Sequence, residues 1–326
     1  MKRLKFGFLG CGRMARFHAQ VVSHLGHDVY ATLSGRESQN IKPFSRDFKV
    51  VREFTDQDNF FKEIHSGNLI LDALVVCTPW DVTERLVKCA LDTGLPVLAE
   101  KPVALSEGKA LEIMSHVNRD NLLVGYNRRF YDYIPQLCEM IRSRPPYFVD
   151  ILSAEPYGLA VNECGSKIAP YMPHFYTSHL IDLAGYLLGP LDFVKIQRLA
   201  ESSQRSTTAS LIARASGCVV NLSVLMDCAQ NSYMKCYFDD YVVVLSPIET
   251  MCVYDGIERV TSKGKTQYIP CLQKTLYASD DFKPGIYLQM KFFIDAFIVK
   301  RSARLFSPED IIRVTRLCDQ LAKGAL

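Results

Sequence analysis

The sequence predicts an α/β chain: an N-terminal doubly wound parallel sheet, then an α+β domain on a large, mostly antiparallel sheet. Three observations carry this. An apolar strand ends in the glycine turn Gly10-Cys11-Gly12-Arg13-Met14-Ala15, which opens a helix. Apolar strand-like runs then alternate with helical segments as far as residue 126, the pattern of parallel crossovers. Beyond that point long β-rich stretches follow one another with tight turns, which indicates antiparallel pairing.

Taken in order, Leu4–Leu9 is a short apolar strand, and Met14–Leu25 places Val21, Val22 and Leu25 on one helical side. Val29–Leu33 is the second strand, Asn59–Ile64 a helix fragment, and Leu71–Cys77 a strongly apolar third strand. A helix from Val82 to Thr93 closes at Gly94, followed by strand Val97–Ala99, helix Lys109–Val117 and strand Leu122–Tyr126. In the second half, a helix over Tyr133–Arg142 stops before Pro145-Pro146. Thr207–Ala215, Val219–Met226, Tyr233–Phe238 and Tyr241–Leu245 read as strands, the first two joined by a hairpin turn at Ser216-Gly217. Helices over Tyr287–Val299 and Pro308–Leu321 close the chain.

Composition narrows the function classes. The 326 residues exceed one small core, so two domains are expected. A net charge of +3, with no run of basic residues, gives no footprint for nucleic acid. The 11 cysteines show no Cys-x-x-Cys spacing, so neither a metal site nor a disulfide framework is expected, and free thiols suit a reducing compartment. The first residues lack the apolar core of a secretory signal, and no run approaches a membrane span. The expectation is a cytoplasmic protein with a small-molecule substrate and no nucleic-acid or membrane partner.

The glycine turn fits G-x-G-x-x-A in its proper context, after a strand and before a helix. Gly10 permits the tight turn, Gly12 lets the backbone approach a pyrophosphate, and Ala15 lets helix and strand pack closely. The helix N-terminus supplies N–H donors and partial positive charge. The expected domains are therefore 1–125, a Rossmann dinucleotide-binding domain, and 126–326, a substrate-binding and oligomerisation domain. At the end of the second strand, Ser34-Gly35-Arg36 holds no acid to bind the ribose 2′-hydroxyl of NAD. Ser34 and Arg36 suit a 2′-phosphate, which favours NADP over NAD; a solvated arginine beside Glu37 is the other reading.

A second signal lies near residue 100. Val97-Leu98-Ala99-Glu100-Lys101-Pro102 is a strand that stops at a carboxylate and an ammonium, at the sheet edge where open α/β sheets bind ligands. With the glycine turn it points to a nicotinamide-dependent oxidoreductase. At this point the chain resembles the Gfo/Idh/MocA oxidoreductases, which include glucose–fructose oxidoreductase and inositol dehydrogenase. The matching pieces are Gly10–Ala15, Val76-Cys77-Thr78-Pro79, Glu100-Lys101-Pro102, Gly125-Tyr126-Asn127-Arg128-Arg129-Phe130, and His179-Leu180-Ile181-Asp182-Leu183 with Tyr186-Leu187-Leu188-Gly189. The resemblance implies that Lys101 sits beside nicotinamide and substrate, with a cis bond into Pro102, and that His179 is the acid/base. It implies cofactor contacts from Gly10, Cys11, Gly12, Arg13, Met14, Ser34, Gly35, Arg36, Cys77, Thr78, Pro79, Trp80, Glu100, Lys101, Asn127 and Arg129. It also implies a homodimer or homotetramer.

Chemistry gives these residue types a reason. Hydride transfer at a carbinol carbon requires a proton moved at the attached oxygen, which suits histidine, while an ammonium stabilises the developing alkoxide. Asp182 follows His179 by one helical turn and could orient its ring, in a helix capped by Thr177 or Ser178 and ended by Gly189-Pro190. His179 as a satisfied core histidine, and Trp80 as packing rather than stacking, are the other readings. The family commonly has an aspartate four residues before its histidine; here that position is Phe175. His174 and Tyr176 are the expected substitutes, so the substrate-binding set is Lys101, His174, Tyr176 and His179. The substrate class is a sugar, nucleotide-sugar or cyclic polyol. A non-sugar ketone or imine reductase, or a non-catalytic dinucleotide-binding regulator, are rival readings.

Overall fold

The computed structural model describes residues 2–118, 121–198, 206–213, 217–300 and 308–323. They form two compact units, Met1–Phe130 with Asp280–Ile312, and Tyr131–Ser279 with Arg313–Leu326. The sequence reading drew one boundary near residue 126; the structure instead returns 280–312 to the first unit.

In the first unit β1 (Lys5–Leu9), α1 (Arg13–His24), β2 (Asp28–Leu33), α2 (Ile41–Phe48), β3 (Arg52–Phe54), α3 (Gln57–His65), β4 (Ala73–Val76), α4 (Trp80–Asp92), β5 (Val97–Ala99), α5 (Glu107–His116) and β6 (Leu122–Val124) follow in order. The strands form one sheet ordered β3-β2-β1-β4-β5-β6, and every pairing is parallel. The predicted doubly wound sheet is therefore present. β1 is central because Phe6, Phe8 and Leu9 are fully buried, each side chain contributing about 1.5–3 kcal/mol. α2 and β3 were not anticipated: both are short, and α2 is fixed by tertiary contact, Phe44 packing 5.7 Å from Phe8.

Strand order reverses between β1 and β4, so the connections that leave their carboxyl ends run in opposite directions, the point at which such sheets form a ligand crevice. Gly10 stands at that point with φ +98°, donating its N–H to Leu33 O at 2.8 Å. A Cβ there would lie 2.2 Å from Cys77 O. No L-residue can occupy this turn without moving β1 from β4.

The returning segment supplies α10 (Ile286–Phe292), continued by a π-helical turn, Phe293–Val299. α10 packs along α1, with His24 against Phe282 at 5.0 Å and Tyr287 at 5.9 Å, and Lys283 over the Phe17 ring at 5.5 Å. Asn127 Nδ2 donates to Pro284 O at 2.8 Å. These contacts explain why the segment joins the first unit.

The second unit runs α6 (Ile134–Ser143), β7 (Phe148–Glu155), α7 (Tyr157–Cys164), α8 (Met172–Phe175), α9 (Thr177–Leu188), β8 (Leu191–Arg198), β9 (Ser206–Ala213), β10 (Val219–Met226), β11 (Tyr233–Tyr237), β12 (Tyr241–Leu245), β13 (Thr250–Ser262) and β14 (Lys265–Tyr277). The last helix is α11 (Pro308–Lys323). Its sheet, ordered β14-β13-β12-β11-β7-β10-β9-β8, is antiparallel apart from the β7–β10 pair. β9 and β10 pair antiparallel as the sequence suggested; residues 214–216, including Ser216 of the expected turn, lie outside the described residues. β7 was not anticipated. It alternates in burial, but its inward residues include Ser153 and Glu155 beside Val149 and Ile151.

Gly10→Ala is expected to cost at least about 3 kcal/mol, because a left-handed φ and a backbone clash combine. Chemical denaturation measures it.

Candidate active site

The first group of candidate residues lies at strand ends of the first unit. Gly12 is the N-cap of α1, with φ −78° and no side-chain cap. A Cβ on Gly12 would meet nothing within 4 Å. Packing therefore does not demand glycine here. Under the turn, Cys11 Sγ lies 3.0 Å from Thr32 Oγ1, and burial pushes the Cys11 and Cys77 thiols up. They are protonated packing groups. Arg13 is exposed and Met14 half-buried.

At the end of β2, Ser34 is half-buried and Gly35 and Arg36 are exposed. Arg36 Nη2 donates to Asp56 Oδ2 at 3.1 Å. Asp56 caps α3 by accepting from the Asn59 N–H at 2.9 Å; that bond first, then Arg36, holds its carboxyl below the usual range. The Arg36 side chain remains 77% exposed. Beyond β4, Thr78 is tied to α4 through Thr83, whose hydroxyl donates to Thr78 O at 3.1 Å and Pro79 O at 2.9 Å. This fixes the loop from which Pro79 and Trp80 enter α4.

Beyond β5, Lys101 is half-buried and its bond to Pro102 is cis. The Glu100 carboxylate is buried, with Oε1 2.8 Å from His18 Nε2. Sequence reasoning missed His18. The available signal was its position among Ala15, Ala19 and Val22 on the buried side of α1. Asn127 and Arg129 are buried on the 3-10 turn after β6.

The second group lies in the second unit on α8, α9 and the residue between them. His179 is half-buried and its main-chain N–H donates to Tyr176 O at 3.1 Å. Asp182, one turn on, is 1% exposed. Gly189, with φ +88°, ends α9 as expected. The start differs from expectation: Tyr176 is the N-cap and Thr177 is already helical. The Thr177 N–H is satisfied by Glu155 Oε1 of β7 at 3.0 Å, and its hydroxyl donates to the same carboxylate. A charged acceptor from a neighbouring strand thus replaces a local cap. Tyr176 is exposed and Phe175 half-buried. His174 is 2% exposed, with neither ring nitrogen hydrogen-bonded among the described residues. Burial pushes its pKa down to about 4 against the opposing Asp319 charge. No cluster of three metal-ligating side chains occurs among the described residues, and no described helix is long and apolar enough to cross a membrane.

A parallel sheet with a glycine turn at its switch point is the arrangement of a Rossmann-type domain. Residues 4–128 match the sequence pattern of the Gfo/Idh/MocA oxidoreductase family, NAD-binding Rossmann fold, and this segment is similar to that family. Among curated relatives, an uncharacterized oxidoreductase, YrbE, of Bacillus subtilis is 24% identical over 193 residues, 58% of this chain and 54% of that protein. Inositol 2-dehydrogenase of Rhizobium meliloti is 26% identical over 196 residues, 57% of this chain and 55% of that protein. The chain thus spans about half the length of these relatives. In fold, it is similar to UDP-N-acetylglucosamine 3-dehydrogenase from Acidithiobacillus ferrooxidans, with a TM-score of 0.73 at 17% identity, over 100% of this chain and 98% of that one.

Two outcomes follow from this geometry. Gly12→Ala should leave stability within about 0.5 kcal/mol while weakening dinucleotide binding about tenfold or more, read by thermal unfolding and cofactor titration. The His174 imidazole titrates near 6.5 when unfolded and about 4 when folded, so the unfolded chain binds the extra proton between those values. Stability should fall by about 3 kcal/mol as pH drops from 6.5 to 4. His174→Phe should flatten that slope in denaturation measured across the window.

Proposed function

We propose that the protein is an NAD(P)-dependent dehydrogenase or reductase acting on a hydroxyl or keto carbon of a sugar, nucleotide-sugar or cyclic polyol. The observation that carries this reading is the strand-end lysine, Lys101, in the same sheet as the Gly10–Gly12 turn at its switch point. The glycine turn fits the cofactor: Gly12 leaves α1's first N–H groups open to a phosphate, and Gly10 fits only as glycine. When bound, the nicotinamide exchanges a hydride with the substrate carbon.

The chain's own residues do the rest. In the first unit the Lys101 ammonium is the group that stabilises charge developing on a substrate oxygen; in the second unit the His179 imidazole is the acid/base, with buried Asp182 one turn on to orient its ring. Gly10, Cys11, Gly12, Arg13 and Met14 hold the pyrophosphate turn. Thr78, Pro79 and Trp80, with Asn127 and Arg129, line the nicotinamide side. Phe175, where the family commonly has an aspartate, makes the substrate pocket more apolar than a polyol site, with Tyr176 supplying a hydroxyl. This favours a non-sugar ketone or imine as the second reading. Ser34 and the exposed Arg36 favour NADP over NAD, because the guanidinium can exchange Asp56 for a 2′-phosphate. The protein acts in a reducing, cytoplasmic compartment as a homodimer or homotetramer.

Lys101→Ala and His179→Ala should each lower turnover by about 10²–10⁴ with cofactor affinity retained. NAD(P)H absorbance on a panel of polyols, nucleotide-sugars and small ketones measures this; near-normal turnover in both variants removes the reading. Arg36→Ala should weaken NADP about tenfold and leave NAD unchanged, checked by titration with each dinucleotide.

A further inference from the structure

We propose that His18 is a positioning residue for the lysine turn: its Nε2 holds the Glu100 carboxylate and thereby fixes the residue that precedes Lys101. The inference rests on the reading of Lys101 given above and deepens it.

The His18–Glu100 pair is built rather than incidental. His18 is fully buried on α1, and Glu100 is 8% exposed at the end of β5. The two meet at 2.8 Å. His18 Nδ1 is enclosed without a partner among the described residues, so the ring's hydrogen bonding is committed to Glu100. The end of β6 is shaped to the same carboxylate. A Cβ on Gly125 would lie 3.0 Å from the Glu100 carboxyl carbon and Oε2, and 3.1 Å from its Cα. From β4, Cys77 feels the Glu100 charge as well as its own burial. Three strand ends and one helix therefore close around a single carboxylate.

Stability alone does not explain such a pair. A buried polar pair rarely outperforms apolar side chains of the same volume, and its better-attested use is to fix one arrangement among several. Here the arrangement links two parts of the site. His18 lies six residues, about 9 Å, along the helix that begins at Gly12, and Glu100 is covalently next to Lys101. The helix whose N-terminus accepts the phosphate is thus tied to the turn that carries the ammonium.

The test uses the full chain and two readouts: the emission of bound NADPH, and turnover on the substrate panel above. Lys101→Ala sets the reference; if it changes neither, the reading of Lys101 fails and the positioning role falls with it. With that reference intact, His18→Leu should keep NADPH affinity within about threefold, move the emission towards that of Lys101→Ala, and lower kcat about tenfold or more. Gly125→Ala presses on the same carboxylate with one methyl group and should reproduce both effects. His18→Gln keeps an N–H donor of similar reach and should recover kcat to within about threefold. Unchanged emission and kcat in His18→Leu and Gly125→Ala would overturn the proposal. So would loss of NADPH affinity in parallel with kcat, which marks a general packing role. Should His18→Leu not fold, Gly125→Ala decides alone.

Discussion

The first unit depends on one backbone contact: the turn after β1 passes so close to the Cys77 carbonyl after β4 that only glycine fits at position 10. Everything that makes the domain a dinucleotide binder follows from that approach. The two central strands can end side by side, the chain can turn directly into α1, and the helix can present its first N–H groups at the switch point. Gly12 is glycine for a different reason, since the fold leaves room for a side chain there. The two glycines of one motif thus separate: the fold requires glycine at position 10, and packing does not require it at position 12.

Both units bury a carboxylate at a strand end and use it to hold the neighbourhood of a candidate functional residue. Glu100 meets His18 across the β5–α1 contact. Glu155 of β7 receives the N–H and hydroxyl of Thr177, two residues before His179. In each case the acid satisfies a buried donor, His18 Nε2 in the first unit and the Thr177 N–H in the second. Charge-assisted bonds of this kind fix a turn or a helix end more sharply than apolar contact does.

What the sequence disclosed, and what it hid, divides along the same lines. The glycine turn, Glu100-Lys101-Pro102 and the α9 stretch were legible because their chemistry is local and their spacing along the chain is short. Val219–Met226 and Tyr241–Leu245 were legible to the residue because β-branched apolar runs bounded by turn residues leave little choice. β7 was hidden because two of its inward positions are polar. β13 and β14 were hidden because most of their side chains are exposed, which erases the alternation. His18 looked like any helix residue, since its partner is 82 positions away. The burial of His174 was hidden because it depends on a distant helix, with Cys318 of α11 donating to the adjacent Pro173 O.

The return of residues 280–312 to the first unit has a consequence for synthesis. All six strands of that unit have been synthesised once residue 124 is added, yet the helix that covers the side of α1 begins at residue 286. At ordinary translation speeds the interval is roughly ten to thirty seconds. Throughout it Phe17 and His24 wait for their aromatic and cationic partners while the entire second sheet is made. The nascent chain therefore carries all six strands with an unfinished flank, and synthesis of residues 280–312, long after that of the strands, completes the nucleotide domain.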